Sequence, residues 1–209
     1  MSTRQKSYLV NNRPGRSEKK FKYLFVCLFA VFSLCLSHNT VYAGEIIDYH
    51  GVSSFYGEST WTSIGPATVD DYKWYNISYF MGKNLKPWVS FEVHLGPGHL
   101  ETDNHGQSDS LESRFLLNFH KGMFFLKLGG GILYMTDSDD LPGLAESDFY
   151  AIASGSTGLR YSFSKEENKR CELTIAYAVE HLSDPTKNGS DGDDGWNVGA
   201  LQIAVNWSF

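Results

Sequence analysis

LTIAYAVEHLS (residues 173–183) and WNVGALQIAVNWSF (residues 196–209) end the chain, separated by an acidic loop rich in Gly, Asp and Asn. Both stretches alternate apolar and polar residues with a period of two, which predicts strands with one apolar face. The apolar face of the second stretch runs to the aromatic residue Phe209. A closing strand of this kind is typical of an outer-membrane β-barrel.

The rest of the chain supports the same architecture. One face of a predicted strand carries Val89, Phe91 and Val93, while the other carries Glu92 and His94. Charged residues facing the inside of a soluble β-sandwich would be costly, whereas a small membrane barrel is polar inside and apolar outside. We therefore predict an all-β fold, an eight-stranded antiparallel transmembrane β-barrel. Its strands are expected at 46–56, 72–81, 87–96, 111–120, 122–135, 148–164, 170–183 and 196–209.

The connections between these segments alternate in length. Long connections are expected at 57–71, 97–110, 136–147 and 184–195, and short ones at 82–86, 121–122 and 165–169. Outer-membrane barrels alternate long external loops with short periplasmic turns and keep both termini in the periplasm. The end of the predicted seventh strand therefore lies at the outer surface.

The amino-terminal region has the features of a secretory signal peptide. Lys19, Lys20 and Lys22 precede an apolar run over residues 23–36, and Val41-Tyr42-Ala43 offers small or modest residues for cleavage. We predict a signal peptide at 1–43 and an outer-membrane β-barrel at 44–209. The apolar run is too short for a comfortable spanning helix, which needs roughly 20 apolar residues.

Charge and cysteine content narrow the possible partners. The whole chain has 18 basic and 24 acidic residues, and removing residues 1–43 leaves 11 basic and 23 acidic, a net charge of −12. Nucleic acid is not an expected partner, because phosphate binding needs clustered Lys and Arg. Cys171 is alone in the predicted mature chain, so no intramolecular disulfide is expected.

The apolar row of the seventh strand continues in phase into His181 and Ser183, and Asn197 shares the outward phase of the eighth strand. Residues i and i+2 of a strand project from one face about 6.5–7 Å apart, so an imidazole can reach toward a hydroxyl. A neighbouring His can take the proton of a Ser hydroxyl as it attacks an ester. Polar groups facing lipid are disfavoured unless they are used. The alternative is that His181 and Ser183 are ordinary interface residues at a strand end.

Other polar clusters give weaker signals. His94, His99 and His105 straddle a strand end and a loop, so solvated or lumenal histidines are favoured over a metal site. The aspartates near 191–194 do not have the spacing of a calcium-binding EF-hand loop. We expect neither a metal nor a cofactor.

The residues around the predicted site resemble a known family. Glu180-His181-Leu182-Ser183, the acidic loop and Asp194-Gly195-Trp196-Asn197 are similar to the lipid A 3-O-deacylase (PagL) and acyloxyacyl hydrolase-like family. That family consists of eight-stranded outer-membrane barrels that hydrolyse an acyl ester of lipid A with a Ser and a His oriented by an acid. The resemblance covers about 30 residues and implies Ser183 as nucleophile and His181 as general base.

Two positions depart from the family's pattern. Asp184 follows the Ser where the family usually has an Asn, and an ionised carboxylate there would repel a developing oxyanion. Asn197 stands where the enzymes have the acid, although an Asn can still orient a His through its side-chain oxygen. Asp194 or Asp184 could supply the acid instead.

The function predicted from the sequence is hydrolysis of an ester-linked acyl chain of lipid A by a Ser/His mechanism, without a cofactor. Lipid A in the outer leaflet of lipopolysaccharide is the expected partner. The alternative is a non-catalytic small barrel with an adhesive or envelope-structural role, or an inactive relative of the deacylases. An acyltransferase barrel is disfavoured, because it would need a lumenal lipid site and His181 is expected to face outward.

Overall fold

The computed structural model describes residues 46–59, 72–102, 106–136, 148–163, 170–183 and 196–208. They form the strands β1 (Tyr49–Glu58), β2 (Tyr72–Lys86), β3 (Val89–Thr102), β4 (Gly106–Lys121), β5 (Phe124–Met135), β6 (Phe149–Ser162), β7 (Cys171–Ser183) and β8 (Trp196–Ser208). The strands pair antiparallel in chain order, and β1 also pairs with β8, so the sheet closes into a barrel. The predicted fold class is confirmed.

The amino-terminal prediction is outside the part of the chain that the structure describes. Residues 1–43 are not among the described residues, so the signal peptide stays a prediction. In the described ranges, no helix is long and apolar enough to cross a membrane.

Apolar side chains cover the outside of the barrel wall. Each of the eight strands contributes large apolar side chains to the exposed surface. Examples are Val52, Ile77, Leu95, Phe115, Leu126, Leu128, Ile132, Leu159, Ile175, Tyr177, Leu201 and Ile203. The alternate positions of the same strands are buried and often charged, such as Glu92, Arg114 and Glu180. An apolar exterior around a charged interior is stable only when lipid surrounds the wall. The chain is therefore a β-barrel of the outer membrane.

The two ends of the barrel differ. At the end that carries Tyr49 and Ser208, β2 joins β3 and β4 joins β5 through tight turns. The second turn uses Gly122, whose φ of 62° lies in the left-handed region that favours glycine. Short turns and barrel termini mark the periplasmic end. The ends of β7 and β8 at Ser183 and Trp196 lie at the opposite, outer end.

The predicted long connection at 97–110 was wrong. β3 continues to Thr102 and β4 starts at Gly106, so only residues 103–105 connect them. Pro97 lacks an N–H and interrupts the pairing with β2, yet its pairing with Leu111 of β4 continues. A Pro between two glycines suggests a loop in the sequence, but here it interrupts the pairing on one side of a strand.

The periplasmic half of the lumen is built around Glu92. Its Oε1 accepts hydrogen bonds from the Tyr49 hydroxyl and from Asn118 Nδ2, each at 2.8 Å. Its Oε2 accepts one from Lys127 Nζ at 2.7 Å and lies 2.8 Å from His94 Nε2. A buried carboxylate with four partners satisfies its lone pairs without water.

Arg114 organises a second lumenal network nearer the outer end. Its guanidinium donates to Glu180 at 2.7 Å and to Glu112, and Ser154 also donates to Glu180. The same guanidinium lies over the ring of Phe55, 5.2 Å from its centroid. Arg114 thereby connects the charged middle of the lumen to the layer above it.

The outer half of the lumen is apolar, which the sequence analysis did not predict. A cluster of buried residues fills it: Phe55, Tyr72, Trp74, Leu100, Leu133, Met135, Tyr150, Ile152, Ala178, Leu182, Trp196, Val198 and Ala200. The rings of Tyr72 and Tyr150 pack against Trp196 with centroids 4.7 and 5.6 Å away. We call this cluster the aromatic plug. It fills the lumen at the height of the predicted site.

Candidate active site

β7 and β8 place His181 and Asn197 directly opposite each other. The two residues are Cα partners in the antiparallel ladder, and His181 Nδ1 lies 3.0 Å from Asn197 Oδ1. An amide oxygen can only accept, so Nδ1 carries the proton and donates. Neutral imidazole with a proton on Nδ1 has Nε2 as an acceptor. The pair therefore fixes the tautomer that a general base requires.

Both residues lie on the outward face of the wall. On β7, Ile175 and Tyr177 are exposed. His181 lies four residues after Tyr177 and therefore on the same face of the strand. Asn197 shares the outward phase of Leu201, yet only 7% of it is exposed, while His181 is half-buried. Burial of the amide keeps water from competing for Oδ1 and so strengthens its hold on the ring.

Ser183 ends β7 on the same outward face as His181. It is half-buried, and its Cα partner across β6 is Ala151. In the described ranges, no hydrogen bond joins Ser183 to His181. The structure thus brings His181 and Asn197 together and places Ser183 two residues away in the same phase. Residues two apart on a strand project from the same face, so the Ser183 and His181 side chains are neighbours on the outside of the wall.

Small residues surround the pair on the outward face. His181 faces Ala153 across β6, and Ser183 faces Ala151. One register step toward the periplasm, Val179 has Gly155 on one side and Gly199 on the other. Two alanines and two glycines therefore flank β7 on the outward face at this height.

The inward face behind the site is closely packed. Glu180, Leu182, Trp196 and Val198 alternate with the site residues, and each of these four is fully buried. Glu180 is held by Arg114 and Ser154, and the other three belong to the aromatic plug. These supporting contacts were not predicted from the sequence, although the period of two places all four residues opposite His181 and Asn197.

Two predicted site residues are outside the described part of the chain. Asp184 and Asp194 both belong to the 184–195 segment, so their proposed roles stay predictions. The structure shows another carboxylate on the outward face near the rim. Glu58 of β1 is the Cα partner of Gly199, and the Tyr56 hydroxyl donates to it. Glu58 lies in the connection predicted at 57–71, because the first strand was predicted to end at residue 56 and in fact continues to Glu58.

The histidines considered for a metal site lie on opposite sides of the wall. His94 is in the lumen beside Glu92, whereas His99 is part-exposed and lies 2.9 Å from Asp109 Oδ1. Residues 103–105, which include His105, are not described. Within the described ranges, no three His, Cys, Asp or Glu side chains come together as a metal site.

Comparisons with known proteins bear on the barrel. No family model and no curated protein matches the sequence. Among solved structures, the chain is similar to the outer membrane enzyme PagL at 14% identity and a TM-score of 0.48, over 74% of this chain and 97% of that one. It is also similar to the outer membrane protein OprG of Pseudomonas aeruginosa at 12% identity and a TM-score of 0.45, over 78% and 96%. The N-terminal β-barrel domain of OprF from Pseudomonas aeruginosa matches at 12% and 0.43, over 77% and 98%. Neither activity nor substrate follows from likenesses at this level.

Proposed function

We propose that this barrel is an outer-membrane esterase that removes an ester-linked acyl chain from lipid A. Ser183 Oγ attacks the ester carbonyl while His181 Nε2 takes the hydroxyl proton. The protonated His181 then gives that proton to the departing sugar oxygen, which leaves an acyl-Ser183 ester. Water, deprotonated by His181, hydrolyses this ester to a free fatty acid and restores Ser183.

The observation that carries the proposal is the hydrogen bond between His181 Nδ1 and Asn197 Oδ1. It is a polar pair on the lipid-facing side of a membrane barrel, where a polar group without a use is disfavoured. The pair also selects the imidazole tautomer that can accept a proton from Ser183. Asn197 is the orienting residue in this mechanism, and Asp194 is the second candidate for that role.

The position of the pair supports lipid A as the substrate. The outer leaflet of this membrane is mostly lipopolysaccharide, and the acyl esters of lipid A lie at the depth of the barrel rim. Ala151 and Ala153 beside the pair leave room for an acyl chain on the outward face. The aromatic plug fills the lumen at the same height, so an approach from the lipid side is favoured over one from within.

A second candidate is a non-catalytic barrel related to the deacylases. The observation in its favour is that Ser183 and His181 do not share a hydrogen bond in the described ranges. In that case the pair would serve only to stabilise the β7–β8 edge at the rim. The two candidates differ in whether the Ser183 hydroxyl is needed for anything.

The test is mass spectrometry of lipid A from cells that express this chain, compared with cells that express Ser183→Ala. We expect the intact chain to remove one acyl chain and the variant to remove none, with equal amounts of folded barrel in the outer membrane. Ser90→Ala, in the lumen, is the matched control and should keep activity. Identical lipid A from the intact and Ser183→Ala chains would support the non-catalytic barrel instead.

A further inference from the structure

A polar cavity opens at the periplasmic mouth, at the opposite end of the barrel from His181. Its volume is about 100 Å³. It is lined by inward-facing residues from the strand ends: Tyr49, Asn84, Ser90, Asn118, His120, Arg160, Arg170, Glu172, Asn206 and Ser208. Two of the lining residues, Tyr49 and Asn118, also donate hydrogen bonds to Glu92. Because the cavity lies at the other end of the barrel from His181, the proposed esterase chemistry does not use it.

The cavity carries an excess of positive charge. Arg160 and Arg170 both line it, and Glu172 is the one carboxylate among the lining residues that the structure describes. Arg170 NH2 lies 3.1 Å from Glu172 Oε2, whereas Arg160 NH1 is 3.8 Å from Oε1. The Glu172 carboxylate therefore offsets the charge of Arg170 more than that of Arg160. Arg160, whose side chain is 15% exposed, is left with the looser contact and with its Nε bonded to Gly122 O.

Two buried polar atoms of the lining lack partners in the described part of the chain. They are His120 Nδ1 and Asn118 Oδ1. Buried polar groups are nearly always hydrogen-bonded, so such atoms mark a place where a ligand or water completes the network. His120 Nδ1 can donate or accept according to its tautomer, and Asn118 Oδ1 can only accept. Arg160 belongs to the same lining and adds a charged donor.

We propose that this cavity binds a small carboxylate that carries one negative charge. A guanidinium matches the planar geometry of a carboxylate and can bind it with two parallel hydrogen bonds. A single negative charge on the ligand balances the net positive charge that Arg160, Arg170 and Glu172 have together. A doubly charged phosphate would add repulsion from Glu172, which lies at the same mouth. The amide and hydroxyl groups of Asn84, Asn206 and Ser208 suit the polar remainder of such a ligand.

Two periplasmic sources could present this chemistry: a free small carboxylate, or the carboxyl terminus of a peptide. The experiment uses the full barrel folded in detergent micelles, with backbone amide NMR shifts as the readout. It titrates acetate, N-acetylalanine, N-acetylalanine amide and inorganic phosphate at a constant ionic strength set with chloride. We expect saturable shifts at cavity residues with both carboxylates and none with the amide. Tighter binding of N-acetylalanine would identify a peptide terminus, and equal binding a free carboxylate.

Variants locate the site. Arg160→Gln should weaken carboxylate binding at least about tenfold, since it removes a charge-assisted hydrogen bond. Arg170→Gln, a half-exposed change at the same mouth, should weaken it by a smaller factor and covers the case in which Arg160→Gln does not fold. Lys121→Gln removes one positive charge from an exposed residue of the same end and should change nothing. Unsaturable shifts, equal binding of the amide, tighter binding of phosphate, or unchanged binding in both arginine variants would overturn the proposal.

Discussion

The barrel has one set of polar groups in the lumen and another on the outward face, and the two sets differ in what their atoms contact. In the lumen, Glu92 and Arg114 direct their polar atoms mainly at other protein groups. On the outward face, His181 Nδ1 donates to Asn197 Oδ1, and the Nε2 of that tautomer is an acceptor. Groups that mainly satisfy one another hold a structure together, whereas a held group with a further acceptor can act on a substrate. The difference between these clusters separates stability from the proposed activity.

The largest effect on stability is expected from Arg114→Met. The change leaves Glu112 and Glu180 buried without their cation, and breaking a buried ion pair from one side costs about 3–5 kcal/mol. Urea unfolding of the barrel in lipid or detergent measures the loss.

A compensated variant sharpens this prediction. Arg114→Met combined with Glu112→Gln and Glu180→Gln removes all three charges, and we expect it to recover most of the lost stability. Esterase activity of the folded compensated variant should persist, because the network supports β7 from behind and contacts no substrate. An Arg114→Met barrel as stable as the unchanged chain would refute a structural role for the network.

A smaller effect is expected from Asn197, the proposed orienting residue. Asn197→Ala removes the acceptor for His181 Nδ1 and should lower the esterase rate by about tenfold to a hundredfold, with little change in unfolding free energy. Asn197→Asp places a carboxylate at the same position, which stabilises the imidazolium better than an amide does, so its rate should exceed that of the unchanged chain.

Rates with a soluble acyl ester in micelles decide between these outcomes. Gln202→Ala, a lumenal change on the same strand, is the control and should keep the rate. Equal rates for Asn197→Ala and the unchanged chain would show that the pair does not orient the base.

The smallest effect concerns Asp48, just before β1. Its carboxylate accepts from Lys83 Nζ at 2.9 Å and from the backbone N–H of Asn84 at 2.7 Å. Burial alone would raise its pKa, but the bonds to Lys83 and Asn84 outweigh burial and leave the pKa lowered. A lowered pKa means stability that is present above the unfolded-state pKa, about 3.9, and lost as pH falls through the folded value. Asp48→Asn should cost below about 1 kcal/mol at pH 7.

The pH dependence provides the measurement for Asp48. Unfolding free energies of the unchanged chain and Asp48→Asn should differ at pH 7 and converge below about pH 4. A difference that stays constant between these two pH values would contradict the assignment.

The sequence predicted which side of the wall most residues face, because a period of two leaves no freedom once one face is known. Glu92 and His94 were correctly assigned to the lumen on this basis. The pairing of His181 with Asn197 followed from the same phase together with the outer position of both strand ends.

The aromatic plug could not be predicted in this way. Trp74 and Trp196 share the inward phase with polar residues, and alternation does not say how the lumen is filled at each height. The extension of β3 past Gly98 was missed for a similar reason. A Cβ at Gly98 would lie 2.7 Å from Ser110 Oγ and 3.0 Å from Trp74 Nε1, so this glycine allows close packing rather than ending the strand.

Covalent labelling of Ser183 tests the central claim most directly. The purified, folded barrel is treated with an acyl-chain phosphonate ester that reacts with activated serines, and the adduct is located by mass spectrometry of peptides. We predict one adduct, on Ser183, formed at least about a hundred times more slowly in His181→Ala and not formed in Ser183→Ala. An unmodified Ser183 in a folded barrel, or labelling that does not depend on His181, would contradict the account.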